Sequence, residues 1–458
     1  MTPHLRPLRR FLQDRSGNIA IIFGLALLPI VVAIGCAVDY SRANQIRAKL
    51  LSAADAASVG AIAKASPGFI AAGSMTSDGP IPAGIADAQS IFNGNVFNQN
   101  GFTIDSVTPN VTKSGGVLTS TVQFAADVPT MFLSVIGRNK VTVTGSSTAT
   151  ANMPLYIDFY LLLDNSPSMG VGATPTDVAA LVKATTGNSF KPNDQCAFAC
   201  HDYNDPNNYY NLAKSLGVTT RIDVLRSATQ QLMDTASATQ TYSNQFRMAI
   251  YDFGASSATY GLRSLFNLSS SLASAKSAAG NIDLMGVYGN NDSYTADKDT
   301  QFTSILGQIG SAIPNPGDGT SSAPLKYLFF VSDGVADEPN TGSTMCNASP
   351  GSYPVYTPSN RCQSPINPAL CEVIKKRNIK IAVLYTTYLQ LPTNNWYMTW
   401  IDQFNAGPFG PSPNSKIAQN MQACASPGLY FEVSPSQGIS AAMNALFQKA
   451  VADARISS

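Results

Sequence analysis

The N-terminal region contains an uncharged apolar run, Ile19 to Val38, that constrains how the rest of the chain can fold. As a helix, its 20 residues are long enough to cross the roughly 30 Å of hydrocarbon in a bilayer. Four arginines and one aspartate precede the run, and this excess of positive charge keeps a short N-terminus in the cytoplasm. The sequence therefore predicts a retained membrane anchor that is followed by a large exported part.

Two processing alternatives compete with a retained anchor. A cleaved signal peptide normally has a shorter apolar core than this run. Gly35-Cys36 resembles a lipoprotein cleavage site, although Ala33 stands where a larger aliphatic residue is usual. Both alternatives would also export the remainder of the chain.

Composition excludes several classes of function. The chain has 458 residues, enough for two or three domains, and a net charge of +1 with 12% charged residues. A nucleic-acid-binding protein needs a dense basic face, so none is expected as a partner. Only two histidines are present, His4 and His201, and the sequence has neither a nucleophile elbow nor a phosphate-binding loop. We therefore expect a protein that is not an enzyme.

The cysteines are consistent with export. Six of the seven follow the apolar run, and an even number in an oxidising compartment predicts disulfides. Proximity in sequence favours the pairs Cys196–Cys200 and Cys346–Cys362, which leaves Cys371–Cys424. A zinc site using Cys196, Cys200 and His201 is the alternative, but it lacks a clear fourth ligand.

The pattern along the chain predicts five segments. Ile46, Leu50 and Ala54 are spaced i, i+4 and i+8, which predicts that the membrane helix continues as a stem. The predicted segments are a cytoplasmic N-terminus at 1–18, a transmembrane helix at 19–38, a helical stem at 39–64, a small α+β module at 65–152 and an α/β domain at 153–455.

The last segment alternates apolar runs of strand length with helical stretches. This alternation predicts an α/β fold with a doubly wound, mostly parallel sheet. Two long excursions, near 171–220 and 336–366, interrupt it. The predicted strands are Leu155–Leu163, Phe246–Phe253, Leu325–Val331, Ile379–Tyr385 and Gly428–Val433.

The loop after the first of these strands contains candidate ligands of a divalent cation. It reads Asp164-Asn-Ser-Pro-Ser-Met, so the side chains of Asp164, Ser166 and Ser168 lie at i, i+2 and i+4 of an extended turn and point the same way. A few hard oxygens leave coordination positions open, which suits Mg²⁺ better than Ca²⁺. The alternative is an ordinary turn rich in Asp, Ser and Pro that ends a strand.

Two further segments supply oxygen ligands. Asp333 follows the strand Leu325–Val331, so both aspartates are expected at the carboxyl edge of the sheet, where such folds bind ligands. Thr300 precedes a predicted helix and would add a hydroxyl. The predicted ligands of Mg²⁺, or of another divalent cation such as Ca²⁺ or Mn²⁺, are Asp164, Ser166, Ser168, Thr300 and Asp333.

This pattern resembles the metal-ion-dependent adhesion site of the von Willebrand factor A domain. That family has Asp-x-Ser-x-Ser after its first strand, a threonine before a middle helix and an aspartate after its fourth strand. The usual Gly-Gly-Thr is replaced here by Lys298-Asp299-Thr300, so Thr303 is the fallback for the threonine. The resemblance implies a von Willebrand A-like fold whose bound ion accepts a carboxylate from a partner protein.

The N-terminal half resembles TadG-type proteins of the tight-adherence (Flp) pilus machinery. The residues that carry the resemblance are Arg15-Ser-Gly-Asn-Ile-Ala-Ile-Ile-Phe-Gly-Leu-Ala, Val38-Asp39-Tyr40-Ser41 and Ser52-Ala-Ala-Asp-Ala-Ala. Such proteins join one pilin-like membrane helix to an exported adhesion-type domain. Cleaved pilins carry a glutamate shortly after the cut, where this chain has Ile22, so an accessory role in assembly or anchoring is expected instead of polymerisation.

The resemblance also implies a location and partners. A single-pass protein of the bacterial inner membrane is expected, with a pilin-like module at 65–152 and a C-terminal domain in the periplasm or at the cell surface. Expected partners are pilus assembly proteins or a surface protein ligand that offers a carboxylate. Two alternatives remain: a structural envelope scaffold with an unused metal site, and a metal-dependent hydrolase.

Overall fold

The computed structural model describes residues 17–75, 77–187, 195–197, 205–242, 244–287, 299–339, 355–356, 361–406, 411–434 and 438–456. The chain divides into two compact units between Met153 and Pro154.

The first unit begins with one long helix, α1 (Gly17–Gly60), which covers the apolar run and the predicted stem. In the stem, Ile46, Leu50 and Ala54 are buried, because this face of α1 packs on the rest of the unit. The large side chains of the apolar run are mostly exposed instead. Within the described residues, α1 is the one helix long and apolar enough to cross a membrane, by length and composition.

An antiparallel sheet completes the first unit. Its strands lie in the order β1-β2-β3-β4. Side chains of β3 alternate between buried and more exposed, as expected when one face of a sheet is covered, and Phe92 and Phe124 meet across the helix–sheet interface with ring centroids 5.9 Å apart. The elements are α2 (Pro67–Ser74), β1 (Gly79–Pro80), α3 (Pro82–Val96), β2 (Thr103–Ser114), β3 (Val117–Pro129), a 3₁₀ turn (Leu133–Ile136) and β4 (Lys140–Asn152).

The second unit is built on a mixed sheet whose described strands follow the order β13-β12-β8-β5-β6-β7. All its pairs are parallel except β6 with β7. Every residue of the central strand β5 is buried, as in sheets covered on both faces. The strands are β5 (Ile157–Leu163), β6 (Phe246–Asp252), β7 (Arg263–Ser269), β8 (Leu325–Ser332), β12 (Lys380–Thr386) and β13 (Tyr430–Val433).

Helices cover both faces of this sheet, which confirms the doubly wound α/β fold. The helices are α4 (Pro175–Thr185), α5 (Tyr209–Ser215), α6 (Arg221–Thr239), α7 (Leu272–Ala279), α8 (Phe302–Ala312), α9 (Pro368–Lys375), α10 (Asn395–Trp400), α11 (Asp402–Asn405), α12 (Lys416–Cys424) and α13 (Ile439–Ile456). Side chains of α6, α7 and α13 form one apolar core with Phe159 and Leu161 of β5, and those of α8, α9 and α12 form the other with Tyr160 and Leu162.

The two excursions contain secondary structure of their own. Helices α4 and α5 lie in the first. In the second, a small antiparallel sheet has the order β10-β11-β9. Its strands are β9 (Val335–Pro339), β10 (Val355–Tyr356) and β11 (Arg361–Pro365).

The structure confirms one of the expected disulfides. Cys371 of α9 is bonded to Cys424 of α12, with the Cα atoms 5.1 Å apart. Cys362 is also disulfide-bonded. Cys346, its expected partner, lies outside the described residues, as do Cys200 and His201 of the predicted pair and the alternative zinc site.

Candidate metal centre

Asp164 and Asp333 lie at the same edge of the mixed sheet. Strands β5 and β8 are parallel neighbours with Leu163 opposite Val331, so the residues that follow each strand emerge side by side. The Asp164 N–H donates to the Val331 carbonyl at 3.0 Å. Both aspartates are fully buried.

Hydrogen bonds fix the loop that follows Asp164. The Ser166 N–H donates to Asp164 Oδ1 at 2.9 Å, and the Ser332 hydroxyl donates to Asp164 Oδ2 at 2.5 Å. The hydroxyl oxygens of Ser166 and Ser168 are 3.1 Å apart, close enough to contact one ion. The Ser168 hydroxyl is near enough to the Asp333 carboxyl group to oppose the rise in its pKa described below. Three of the predicted ligands are thus within reach of one another, and Asp333 adjoins them.

Asn165, which the sequence pattern does not single out, ties this loop to its neighbours. Its amide donates to the carbonyls of Gly254 and Asp283, at 2.9 and 3.2 Å. Its side-chain oxygen accepts from the Phe253 N–H at 3.1 Å. The loop is therefore anchored to the end of β6 by a fully buried side chain. Its partners lie about 90 to 120 residues further along the chain, so no local signal reveals this role.

Arg221 places a positive charge in the same site. A capping box made by Thr220 and Asp223 starts α6 at Arg221, and the guanidinium is fully buried with Nη1 3.7 Å from Asp333 Oδ2. Nη2 donates to the Thr387 carbonyl at 2.8 Å, and the group lies 5.5 Å from the centroid of the Tyr388 ring. The sequence analysis did not identify Arg221, because nothing local distinguishes it from the other residues that start helices.

The contact between Arg221 and Asp333 leaves polar atoms without hydrogen bonds. Asp333 Oδ2, Arg221 Nε and Arg221 Nη1 are buried and have no hydrogen-bond partner. A buried carboxylate oxygen without a partner is costly. This oxygen is therefore the atom of the site that most needs a further ligand.

Burial changes the protonation of the two aspartates. Burial, and next the nearby Asp164 charge, raise the pKa of Asp333 to about 7, although Arg221 opposes the shift. Burial likewise raises the pKa of Asp164. With both carboxylates ionised and one guanidinium present, the site has a net charge of −1. A bound cation would compensate that charge.

The two candidate threonines have different surroundings. Thr300 is buried, and its backbone forms a bridge to Asp337 with N–O distances of 3.3 and 2.9 Å. The N–H and hydroxyl of Thr303 donate to the Glu338 carboxylate at 2.8 and 3.0 Å. The fallback hydroxyl therefore already has an acidic partner. That engagement favours Thr300 as the third hydroxyl ligand.

Tyr260 is hydrogen-bonded to the segment that contains Thr300, and it is also influenced by the charge of Asp164. Its hydroxyl accepts from the N–H of Gln301 at 2.6 Å, one residue after Thr300. Burial raises the pKa of Tyr260, and the Asp164 charge raises it further. Tyr260 therefore lies within electrostatic range of Asp164 while holding the segment that precedes α8.

The donor set fits a small hard cation. Carboxylate and hydroxyl oxygens are the ligands that Mg²⁺ accepts, with water in the remaining positions. Across the described ranges, no group of three or more His, Cys, Asp or Glu side chains is placed to hold a metal. An ion here would consequently depend on serine and threonine hydroxyls as well as on the two aspartates.

Comparisons with known proteins give a family for the N-terminal segment. Residues 17–66 match the Tad family of Flp pilus-assembly TadE/G-like proteins. The comparison with curated proteins finds no sequence match to this chain.

Several solved structures of pilus proteins are similar at low identity. The von Willebrand factor domain of the type V pili tip protein Mfa5 from Porphyromonas gingivalis is 12% identical, with 66% of this chain and 97% of that chain covered and a TM-score of 0.36. A mutant of the PilB minor pilin from Streptococcus sanguinis is 12% identical, with 78% and 77% covered and a TM-score of 0.33.

The fold and the family match describe different parts of the chain. The second unit has an α/β fold, with a doubly wound sheet and polar loops at its carboxyl edge. The similarity to the Tad family covers residues 17–66 of the first unit.

Proposed function

We propose that this chain is a membrane-anchored accessory protein of Flp (Tad) pilus assembly that binds a partner protein through a divalent cation. The observation that carries the proposal is the buried Asp333 Oδ2, which lacks a hydrogen bond beside the Asp164 loop. The ion would be held by Asp164, Ser166, Ser168, Thr300 and Asp333. When bound, it supplies an open coordination position for a partner's carboxylate.

The residues of the site prepare these ligands for binding. Asn165 and Ser332 hold the Asp164 loop in place through buried hydrogen bonds. Ligands fixed before binding lose little conformational freedom when the ion arrives. Arg221 balances part of the negative charge of the two aspartates. This arrangement binds without requiring any catalytic step.

We further propose that the Ile19 to Val38 run spans the bacterial inner membrane, with residues 1–18 in the cytoplasm. The second unit would then lie in the periplasm or at the cell surface. The Cys371–Cys424 disulfide supports an oxidising location. Protease accessibility on intact cells, compared with spheroplasts, distinguishes the two locations: digestion only in spheroplasts indicates the periplasm.

Ion binding can be tested with the metal alone. The full chain in lipid nanodiscs, stripped with chelator, is titrated with Mg²⁺, Ca²⁺ and Mn²⁺ while thermal unfolding is followed. An ion at about 100 times its dissociation constant should raise Tm by roughly 5 °C. Asp164→Ala and Asp333→Asn should abolish the shift. Asp234→Ala, which changes an exposed aspartate on α6, is the control and should retain it.

Partner binding is tested in cells. Strains carrying Asp164→Ala should lose assembled pili, whereas Asp234→Ala strains should not. Unchanged pilus output in the Asp164→Ala strain would overturn the proposal and favour a structural scaffold. One observation favours that second candidate: the Arg221 guanidinium already neutralises one carboxylate without any ion. Turnover of model esters or phosphates that Asp333→Ala removed would instead indicate a hydrolase.

A further inference from the structure

A turn in the first unit exposes an unusual number of large apolar side chains. It joins β3 to β4, and residues 131–136 are called here the apolar loop. Met131 is 68% exposed and Val135 78% exposed, and Phe132 and Ile136 are exposed as well. The 3₁₀ turn inside the loop buries none of its residues. Exposed apolar clusters of this kind mark surfaces that contact a partner or a membrane.

The apolar loop is fastened to α1 at the end of the apolar run. The N–H groups of Met131, Phe132 and Leu133 donate to the Asp39 carboxylate at 3.0, 2.8 and 2.7 Å. Burial raises the pKa of Asp39, but these three backbone hydrogen bonds outweigh it, and the pKa is lowered overall. Asp39 therefore stays ionised and holds the loop by charge-assisted hydrogen bonds.

Phe132 shows which part of α1 the apolar loop contacts. A methyl group added at Gly35 would collide with the Phe132 side chain, so the ring packs directly on the helix backbone there. Gly35 precedes Asp39 by four residues, or about 6 Å along the helix axis. Phe132 is therefore level with the last turn of the apolar run, not with the stem beyond it.

The surface around the loop has the composition of a membrane interface. Ile34 and Val38 of the apolar run are exposed, so the apolar loop adds to the lateral apolar surface of the helix. Tyr40, exposed one residue beyond Asp39, is of a type enriched where membrane meets water. Arg138 follows the loop and is exposed, where it can reach anionic headgroups.

We infer that the apolar loop inserts into the lipid leaflet on the exported side, next to the membrane-spanning part of α1. The inference rests on the proposed membrane anchor. A bilayer is the occupant because the loop packs on the last turn of the apolar run and extends the exposed apolar surface that Ile34 and Val38 form there. The loop then provides a second membrane contact, which fixes the rotation of α1 about its axis.

Tryptophan reporters in the full chain test this insertion. Val135→Trp is reconstituted in phosphatidylcholine nanodiscs whose acyl chains are brominated either near the headgroup or near the chain end. Lipids brominated near the headgroup should quench the added emission by roughly half, since interfacial residues lie 5–10 Å deep. Unsubstituted protein, which contains two tryptophans, supplies the background for subtraction.

Two further variants make the outcome decisive. Val117→Trp changes an exposed valine at the opposite end of β3, about 40 Å away along a 13-residue strand, and its added emission should not be quenched. Ile30→Trp reports on the apolar run and should be quenched by both lipids. Quenching at Ile30 without quenching at Val135 overturns the apolar-loop inference alone. A lack of quenching at Ile30 overturns the anchor and the inference together. A blue shift at Val135 without quenching indicates a protein partner, which also overturns the inference.

Discussion

The guanidinium of Arg221 lies 3.7 Å from the carboxylate of Asp333, and both side chains are completely buried. The two groups form an ion pair without a hydrogen bond, because neither Arg221 Nη1 nor Asp333 Oδ2 has a partner. A buried charge without a partner is costly to desolvate, so each of these two charges depends on the presence of the other. The candidate metal centre therefore contains a positively charged side chain of the protein itself.

Replacing Arg221 should lower the stability of the protein and raise its affinity for the ion. We expect Arg221→Met to lower the stability of the ion-free protein by about 3–5 kcal/mol, because Asp333 loses its buried counter-charge. Its affinity for Mg²⁺ should rise, since an ion no longer meets a positive charge beside Asp333. Thermal unfolding in chelator measures the first effect, and calorimetric Mg²⁺ titration measures the second.

Arg226 provides a matched control on the same helix. It is partly exposed and pairs with Asp223 and Asp283, so Arg226→Met should cost less stability than Arg221→Met and leave the Mg²⁺ affinity unchanged. An equal gain in affinity for both variants would show a general charge effect. That result would contradict a specific role for Arg221.

The ion-free protein should lose stability as the pH rises from about 4 to about 7. The pKa of Asp333 is raised to about 7, whereas an unfolded aspartate titrates near about 3.9. Between these values the folded state holds a proton that the unfolded state has released. Stability therefore falls by up to about 1.4 kcal/mol per pH unit there and is unaffected by this group below the window.

Thermal unfolding in chelator across this pH range measures the slope. Saturating Mg²⁺ should remove it, because the ion replaces the proton as the compensating charge. Asp333→Asn should reduce it without any ion, and the slope that is left belongs to Asp164, whose pKa burial also raises. A slope in Asp333→Asn that is as steep as in the unsubstituted chain would show that Asp333 is not responsible.

The sequence predicts the central part of the second unit better than its periphery. Strand β5 is wholly buried, and it is apolar from Phe159 to Leu163, so Asp164 at its end stands out. Strand β7 was not predicted, because it is an edge strand whose half-exposed residues form no apolar run. Arg221 was missed for another reason: its backbone partner Thr387 is 166 residues away, and only the folded chain brings them together.

The third hydroxyl ligand can be assigned with two isosteric substitutions. Thr300→Val should weaken Mg²⁺ binding by about tenfold or more, because it removes a ligand without changing side-chain volume. Thr303→Val should leave the affinity unchanged and lower stability by about 1 kcal/mol, since it removes the hydroxyl bond to Glu338. Calorimetric titration and thermal unfolding of both variants decide the assignment, and the reverse result would make Thr303 the ligand.

Asp158, at the other end of β5, should affect stability without affecting the metal centre. Its carboxylate pairs with Arg247 at 2.6 Å and with the largely buried Lys326 at 2.5 Å. Asp158→Ala leaves that ammonium buried without its counter-charge, so the second unit should lose about 3–5 kcal/mol of stability. Adding Lys326→Met should recover part of the loss. Tryptophan emission reports the change, because Trp396 and Trp400 both lie in the second unit.

The same variant tests whether the two ends of β5 act independently. Asp158 and Asp164 are separated by six residues, or about 20 Å along a strand, where two unit charges interact by less than about 1 kcal/mol. Mg²⁺ affinity of Asp158→Ala, measured below its lowered Tm, should therefore equal that of the unsubstituted chain. A weaker affinity would mean that the strand transmits strain to the Asp164 loop, and the metal centre would then depend on the whole sheet and not on its carboxyl edge alone.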